Sequence, residues 1–211
     1  MESQGGGRRT YHHGDLSHAL AAAGTQLARK GGPEAVVLRE AARQVGVSAT
    51  AAYRHYANHL DLIHAVKEQA QAMLAEHMRA EVAVVVATDD AAEAALRRLR
   101  ALGTGYVHFA LTEPGLFRTA FCRTDVGLDG PKVDKFTVEA YQMLSSTMDA
   151  MAGAGLIVPE NREFAEMTAW SSVHGLATLM MEGPLRWLTP AEREASIHGV
   201  IDAVISGVCR R

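Results

Sequence analysis

A short run in the N-terminal third of the chain combines hydroxyl, methyl and guanidinium groups that could contact the bases of duplex DNA. Arg54 is the only side chain of this run that can form a bidentate contact with guanine, and residues 48–51 (SATA) add two hydroxyls and two methyl groups. Tyr53, His55 and His59 follow and suit contacts with phosphates, which position a protein without specifying a sequence. The run therefore predicts a surface that positions a protein on DNA and reads it.

Two short helices joined by a tight turn would have to position this run, one over about 37–45 and the other over about 48–56. Gly46 can take the left-handed conformation that the turn needs, and Ala42 supplies a small side chain where the two helices cross. The pattern predicts a helix-turn-helix whose second helix enters the major groove. A purely structural helical hairpin with a glycine turn fits the same spacing, so that alternative stays open.

The rest of the chain predicts a mostly helical protein. It has 36 alanines among 211 residues and only 6% aromatic residues, a composition that favours helices over strands. Apolar periodicity, prolines and capping residues predict an all-α fold of about nine helices, with a three-helix domain over 1–62 and a larger helical domain over 63–211. Residues 1–64 have seven basic and five acidic side chains, whereas 65–211 have fourteen and nineteen.

Several classes of protein are disfavoured by what the sequence lacks. No apolar run approaches the roughly 20 residues that cross a bilayer, and the N-terminus lacks the apolar stretch of a signal peptide. Two cysteines without metal-type spacing indicate reduced thiols and a cytoplasmic location. His55 and His59 could ligate zinc at i, i+4, but no third ligand has suitable spacing. We therefore expect no metal, no cofactor, no membrane partner and no enzyme.

The sequence resembles the TetR family of bacterial regulators in two separate places. In the N-terminal part the resemblance lies in YHHGDL at 11–16, LREAARQVGVS at 38–48 and AAYRHYAN at 51–58. In the C-terminal part, AWSSVHGLATLMMEG at 169–183 is similar to the WHG-type domain of one TetR subgroup, with Trp170, His174 and Gly175 as its signature, and YVHFALTEPGLFRTAF at 106–121 also fits it. The resemblance implies a DNA-binding domain over 1–62, an effector-binding and dimerisation domain over 63–211, and repression relieved by the effector.

The DNA-contacting surface predicted from the motif and the resemblance includes a basic arm. Arg8 and Arg9 follow a glycine run and could track the phosphate backbone or enter the minor groove, although a solvated tail fits the same residues. His59 stands where the family usually has Lys, which should weaken DNA binding or make it pH-dependent. The predicted DNA-contacting residues are Arg8, Arg9, Arg39, Ser48, Ala49, Thr50, Ala51, Tyr53, Arg54, His55 and His59.

A homodimer is predicted from the last two helices. The eighth helix has apolar residues on more than one face, and the ninth has small residues at Gly199, Ala203 and Gly207 beside Val200, Val204 and Val208. In a dimer, these two helices and the same two helices of a second copy would form a four-helix bundle. The alternative is that the two helices pack tightly against each other within one chain. A dimer would let two recognition helices read a palindromic operator in double-stranded DNA.

A mostly apolar site for a small-molecule effector is predicted from aromatic residues that concentrate between positions 106 and 174. Aromatic residues at helical spacing also fit an ordinary core, and only the set as a whole supports a ligand site. A ligand-binding protein with weak or lost DNA recognition is the remaining alternative, favoured by His59 and the alanine-rich recognition helix. The predicted ligand-binding residues are Tyr106, Phe109, Phe117, Phe121, Phe136, Tyr141, Trp170 and His174.

Overall fold

A computed structural model describes residues 13–123 and 139–209. Within these residues the chain forms nine α-helices and no strand, which confirms the predicted all-α fold. The helices are α1 (His13–Gly31), α2 (Leu38–Val45), α3 (Ala49–Tyr53), α4 (His59–Ala83), α5 (Ala91–Thr112), α6 (Pro114–Ala120), α7 (Glu139–Gly153), α8 (Arg162–Met181) and α9 (Pro190–Val208).

The first three helices form a small unit that we call the head. Here α1 packs against α2 and α3, and Leu20, Leu38 and Ala52 contribute one buried residue from each helix to a shared core. Tyr56, just beyond α3, is also buried, and its hydroxyl donates a hydrogen bond to the carbonyl oxygen of Ser17 in α1. Contacts between residues far apart in the chain thus hold the three helices of the head together.

The long helix α4 connects the head to the body, which we define as α5 to α9. It packs against α1 on one side and against α5, α6 and α7 on the other. The predicted domain division after residue 62 falls inside this helix, near its N-terminus. Within the body, α5 is the central helix and contacts α4 and each of the four helices that follow it.

Most helix boundaries follow local signals in the sequence. Thr189 and Glu192 form the predicted capping box at the start of α9, and the side chains of Asn58 and Asp90 accept hydrogen bonds from the first turns of α4 and α5. The sequence also predicts a start of α1 near Asp15 and a helical period in α4 up to about Val86; α1 begins at His13, and α4 ends earlier than predicted, at Ala83. Pro131, the predicted start of the seventh helix, lies outside the described residues.

Candidate nucleic-acid interface and internal cavity

The turn between α2 and α3 has the geometry that the sequence predicts. Gly46 adopts φ 79° and ψ 27°, in the left-handed region, and its N–H bonds to the carbonyl oxygens of Ala42 and Arg43. Ser48 then caps α3, its side chain accepting a hydrogen bond of 3.2 Å from the N–H of Ala51. Ala52 is fully buried and fixes α3 against the head core. These contacts leave the opposite side of α3 facing solvent.

Four of the predicted DNA-contacting residues, Ser48, Thr50, Tyr53 and Arg54, face solvent in α3 and its two caps, and we call this side the recognition face. Tyr53 is 45% exposed, while Ala51 packs in part against the core, so its methyl group is divided between core and surface. Arg8 and Arg9 lie outside the described residues. The exposed residues of the predicted set are Arg39, Ser48, Thr50, Tyr53, Arg54 and His59, and the partly buried ones are Ala49, Ala51 and His55.

The recognition helix is shorter than predicted. It ends at Tyr53, not at residue 56, and Arg54 forms its C-terminal cap. The chain leaves the helix because Tyr56 is drawn into the head core and Asn58 must cap α4 four residues after Arg54. Arg54 is therefore presented from the end of a five-residue helix, where its long side chain still has free access to solvent.

Charged groups on the head differ in how strongly they are already paired. Arg43 donates two hydrogen bonds, of 2.8 and 2.6 Å, to the carboxylate of Glu40. These bonds from Arg43, and a further one from Gln44, lower the pKa of Glu40 to about 2. In contrast, no carboxylate within the described residues pairs with Arg39 or Arg54. The unpaired guanidinium groups are thus the ones available to phosphates and bases.

The body contains a cluster of aromatic rings centred on Tyr106 of α5. Tyr106 is 1% exposed and lies edge-on to Phe117 of α6 at 5.5 Å and to Trp170 of α8 at 5.6 Å between ring centroids. His174 of α8 stacks on Phe117 at 5.4 Å and meets Phe121 edge-on at 4.9 Å. The cluster therefore joins α5, α6 and α8 through direct ring contacts.

A hydrogen bond of 2.7 Å joins the Tyr106 hydroxyl to Nδ1 of His174 inside this cluster. Burial raises the pKa of Tyr106 well above its ordinary value and lowers the pKa of His174. Both shifts favour the uncharged forms, so the pair is a neutral polar contact in apolar surroundings. Removing either partner would leave the other without its hydrogen bond.

A small apolar cavity lies beside the cluster, surrounded by residues of α4, α5, α7, α8 and α9. It encloses about 30 Å³, and apart from Tyr106 and Trp170 its lining consists of aliphatic residues, methionine and glycine. Ligand sites for drug-sized molecules are typically about 300–1,000 Å³. A molecule of that size can bind here only if the surrounding helices move apart.

The structure separates the predicted ligand-binding residues into groups. Only Tyr106 and Trp170 line the cavity, while Phe109 and Phe117 are buried in the core and Tyr141 lies against Trp170 at 5.4 Å. Phe121 and His174 belong to the aromatic cluster, and Phe136 lies outside the described residues. Sequence reasoning missed most of the lining, in particular Leu99, Leu102, Leu144, Val173, Ile201 and Val204.

The sides of α8 and α9 that do not line the cavity are exposed, although they include large apolar side chains. Phe164 is 69% exposed and Met167 56%, and a Cβ built on Gly199 or Gly207 would meet nothing within 4 Å. In contrast, Val204 and Val208, which the sequence pattern placed beside the glycine stripe, are buried within the chain. We call this set the outer face; it comprises the exposed residues Phe164, Met167, Leu179, Gly199, Ala203 and Gly207 and the half-buried Gly175.

A protein-family model for the tetracyclin repressor-like C-terminal domain matches residues 99–204, half of the chain, a range that includes most of the cavity lining. The chain belongs to the TetR family. This finding confirms the resemblance carried by the two sequence signatures. DNA binding and ligand binding are typical of TetR-family transcriptional regulators, which act as regulators and not as enzymes.

Solved structures share the TetR fold over nearly the whole chain. A protein of unknown function from Rhodococcus sp. RHA1 is 24% identical, with a TM-score of 0.77, and the match covers 96% of this chain and 100% of that one. A TetR family transcription regulator from Marinobacter aquaeolei VT8 is 16% identical, with a TM-score of 0.59, over 93% of this chain and 96% of the other. A TetR variant from Acinetobacter baumannii AYE, in complex with minocycline, is 18% identical, with a TM-score of 0.56, over 94% and 96%. No curated protein matches the chain.

Two further findings concern the described residues alone. None of their helices has the length and apolar character needed to pass through a bilayer. No three of their His, Cys, Asp or Glu side chains come together in a group that could hold a metal ion.

Proposed function

We propose that this TetR-family regulator is a repressor that binds a palindromic DNA operator as a homodimer and leaves it when a small, mostly apolar effector binds. The observation that carries the proposal is the recognition face, where Ser48, Tyr53 and Arg54 are exposed while Ala52 anchors α3 in the core. These groups need no rearrangement to enter a major groove. Double-stranded DNA is therefore the partner that suits this surface best.

The outer face supports the homodimer. One five-residue recognition helix offers few base contacts, so specific binding needs a second copy placed one helical turn of DNA away. Phe164 and Met167 on α8 supply exposed apolar area, and the open glycines of α9 let a second pair of helices approach closely. A two-fold bundle of α8 and α9 with their copies would bury these groups.

Helix α6 gives the effector a route to the head. Phe117 and Phe121 touch His174, so any movement of the aromatic cluster reaches α6. At its start α6 packs directly on the last carbonyl groups of α1, where a Cβ on Gly115 would collide with the carbonyl oxygen of Ala28. Nearby, Arg29 of α1 donates a hydrogen bond of 2.8 Å to Glu113. These contacts transmit a displacement of the cluster to α1.

The far end of α6 is tied to α4 in a similar way. Lys67 and Gln71 of α4 donate hydrogen bonds of 2.9 and 3.0 Å to the carbonyl oxygens of Cys122 and Ala120. A ligand that separates α5 from α8 would therefore shift α6 against both α1 and α4. An effector changes DNA affinity only if it binds one arrangement better than the other. Enlargement of the cavity supplies that difference.

One observation favours a second candidate function, a ligand-binding protein with weak or lost DNA recognition. His59 is exposed at the first position of α4, where the family usually has a lysine, so the fixed positive charge at this phosphate-contact position is absent. Under this alternative the cavity would be the functional site and the recognition face would make only weak contacts.

Selection of the purified protein on randomised duplex DNA tests the two candidates against each other. We expect enrichment of an inverted repeat, which would support both base recognition and a two-fold dimer. The Arg54→Ala variant, selected in parallel, should enrich a less defined motif. Absence of any enriched motif at low salt, with a folded protein, would contradict the repressor proposal and favour the ligand-binding alternative.

A further inference from the structure

Glu166 of α8 is a buried carboxylate with only one of its two oxygens in a hydrogen bond. The residue is 7% exposed, and Oε2 pairs with Nη1 of Arg162 one turn earlier on the same helix. No described residue donates a hydrogen bond to Oε1, although that atom is buried. Buried polar atoms are almost always paired, because leaving them without a partner is costly. Among the described residues, Oε1 is therefore a buried acceptor that still lacks a donor.

The position of Glu166 relates it to the cavity. It precedes Ala169 and Trp170 by three and four residues, and both of these line the cavity, so Glu166 continues the same side of α8 by one turn. Tyr141 of α7 lies beside it and contacts Trp170. The pKa of Tyr141 is raised to about 12, first because burial disfavours the phenolate and then because its hydroxyl hydrogen-bonds to the Glu166 carboxylate, whose charge adds to the effect. The carboxylate thus lies on α8 beside α7, one turn before the residues of α8 that line the cavity.

The charge of the described residues around Glu166 is not balanced. Arg162 also donates hydrogen bonds of 3.0 and 2.8 Å to Asp149 of α7, so a single guanidinium serves two carboxylates. Glu163 adds a third acidic group that raises the pKa of Tyr141 from the same helix end. An anionic group arriving here would be repelled, whereas a cation that donates a hydrogen bond would be stabilised.

We infer that the effector is an apolar molecule with one basic nitrogen, whose hydrophobic part enters the enlarged cavity and whose N–H group donates a hydrogen bond to Oε1 of Glu166. This inference rests on the proposed effector function and specifies the chemical class of the effector. The aliphatic lining selects for the hydrophobic part, and Glu166 selects for the head group. Carboxylic acids of the same shape are excluded by the surplus negative charge.

Three probes of one shape test this assignment: phenylbutylamine, phenylbutanol and phenylbutanoate, which differ only in the head group. Their affinities for the full chain would be measured by titration calorimetry, with thermal unfolding as a second readout. We expect the amine to bind about tenfold more tightly than the alcohol, and the carboxylate to bind more weakly than either.

Two variants locate the source of the preference. Glu166→Gln keeps the shape and removes the charge, so the amine and the alcohol should bind within about threefold of each other. Arg162 keeps its bonds to Asp149 and to the carbonyl oxygen of Ser145 in this variant. Glu163→Gln is the matched control, because it removes the same charge from an exposed position on the same helix and should retain the preference. If Glu166→Gln fails to fold, Glu166→Asp, which retains the charge on a shorter side chain, should weaken amine binding.

Each outcome decides the assignment. Tight binding of the carboxylate, or an amine preference that survives Glu166→Gln, would overturn it. If the wild-type protein binds none of the three probes, the assigned ligand class is wrong. Operator selection is measured without any of the three probes. A failure of the effector assignment can therefore be distinguished from a failure of the DNA-binding proposal.

Discussion

The recognition face and the aromatic cluster present their functional side chains in opposite states. Tyr53 and Arg54 stand in solvent on a formed surface, whereas Tyr106 and Phe117 are buried and the adjacent cavity encloses about 30 Å³. DNA can be met by docking, but a ligand must separate packed helices before it can bind. In the head, the residues proposed to contact DNA are therefore not those that stabilise the fold. In the body, the residues proposed to respond to a ligand are the same ones that stabilise the fold.

The largest expected effect contrasts two tyrosines, one from each region. Tyr106→Ala should lower the free energy of unfolding by about 3–5 kcal/mol, because it removes the ring at the centre of the cluster and the hydrogen bond to His174. Tyr53→Ala should change it by about 1 kcal/mol at most, because nearly half of the side chain is exposed and it belongs to no packed cluster. Urea denaturation of both variants measures the difference.

The DNA affinity of the same two variants should follow the reverse order once each is compared at a temperature where it is folded. Tyr53→Ala should weaken binding to all sequences alike, as expected for a phosphate contact. If Tyr53→Ala destabilised the protein as much as Tyr106→Ala, the division between a docking surface and a packed cluster would not hold.

A second test addresses the contact between the two regions. Gly115→Ala would place a methyl group against the carbonyl oxygens of Ala28 and Arg29, so α1 and α6 must separate, at a cost of about 1–3 kcal/mol in stability. Gly153→Ala is the matched control: nothing lies within 4 Å of its added Cβ, and we expect a change within about 1 kcal/mol. Thermal and urea unfolding measure both.

Operator affinity shows whether the contact between α1 and α6 only supports the head or also controls DNA binding. Gly115→Ala should alter operator binding, although it touches no residue of the recognition face, while Gly153→Ala should not. Unchanged operator affinity in a clearly destabilised Gly115→Ala protein would mean that α6 supports the head without controlling its position.

A third test sharpens the properties of the recognition face itself. Arg54→Ala should reduce discrimination between the selected operator and its single-base variants by about 1–3 kcal/mol, because Arg54 is the side chain suited to a bidentate guanine contact. Arg97→Ala, on α5 and paired with Glu93, is the control of the same type outside the head. Competition binding at fixed salt measures both. Equal loss of affinity for every sequence would make Arg54 a phosphate contact.

Local chemistry explains why the head could be predicted almost residue by residue. The turn at Gly46 and the cap at Ser48 each involve residues within a few positions of one another, so their sequence pattern already specifies their geometry. The length of α3 could not be predicted in this way. Its end depends on Tyr56 bonding to Ser17, 39 positions away.

The cavity could not be predicted because its lining depends on how helices are rotated against each other. Spacing alone placed Val204 beside the small residues of α9, whereas packing turns it inward together with Ile201. That rotation is fixed by Gly103 of α5, where an added Cβ would lie 2.9 Å from Ile201. The predicted aromatic residues that the structure describes lie in the body, but most of them pack around the cavity and do not line it.

The smallest expected effect concerns pH and separates a buried histidine from an exposed one. Burial lowers the pKa of His174 from its ordinary value of 6.5, so below that pH the unfolded chain takes up a proton that the folded chain does not. Stability from this residue is complete above pH 6.5 and is lost as the pH falls toward the lowered pKa. The free energy of unfolding should therefore decline from about pH 7.5 to about pH 5.5 more steeply in the wild type than in His174→Gln.

His198→Gln, at an exposed position of α9, is the control and should leave the slope of the wild type unchanged. Urea denaturation at several pH values measures the slope in all three proteins. Equal slopes in the wild type and His174→Gln would show that His174 is solvated enough to take up a proton in the folded state. The cluster around Tyr106 would then already be open to water, and the contrast between a formed surface and a closed cavity would lose its basis.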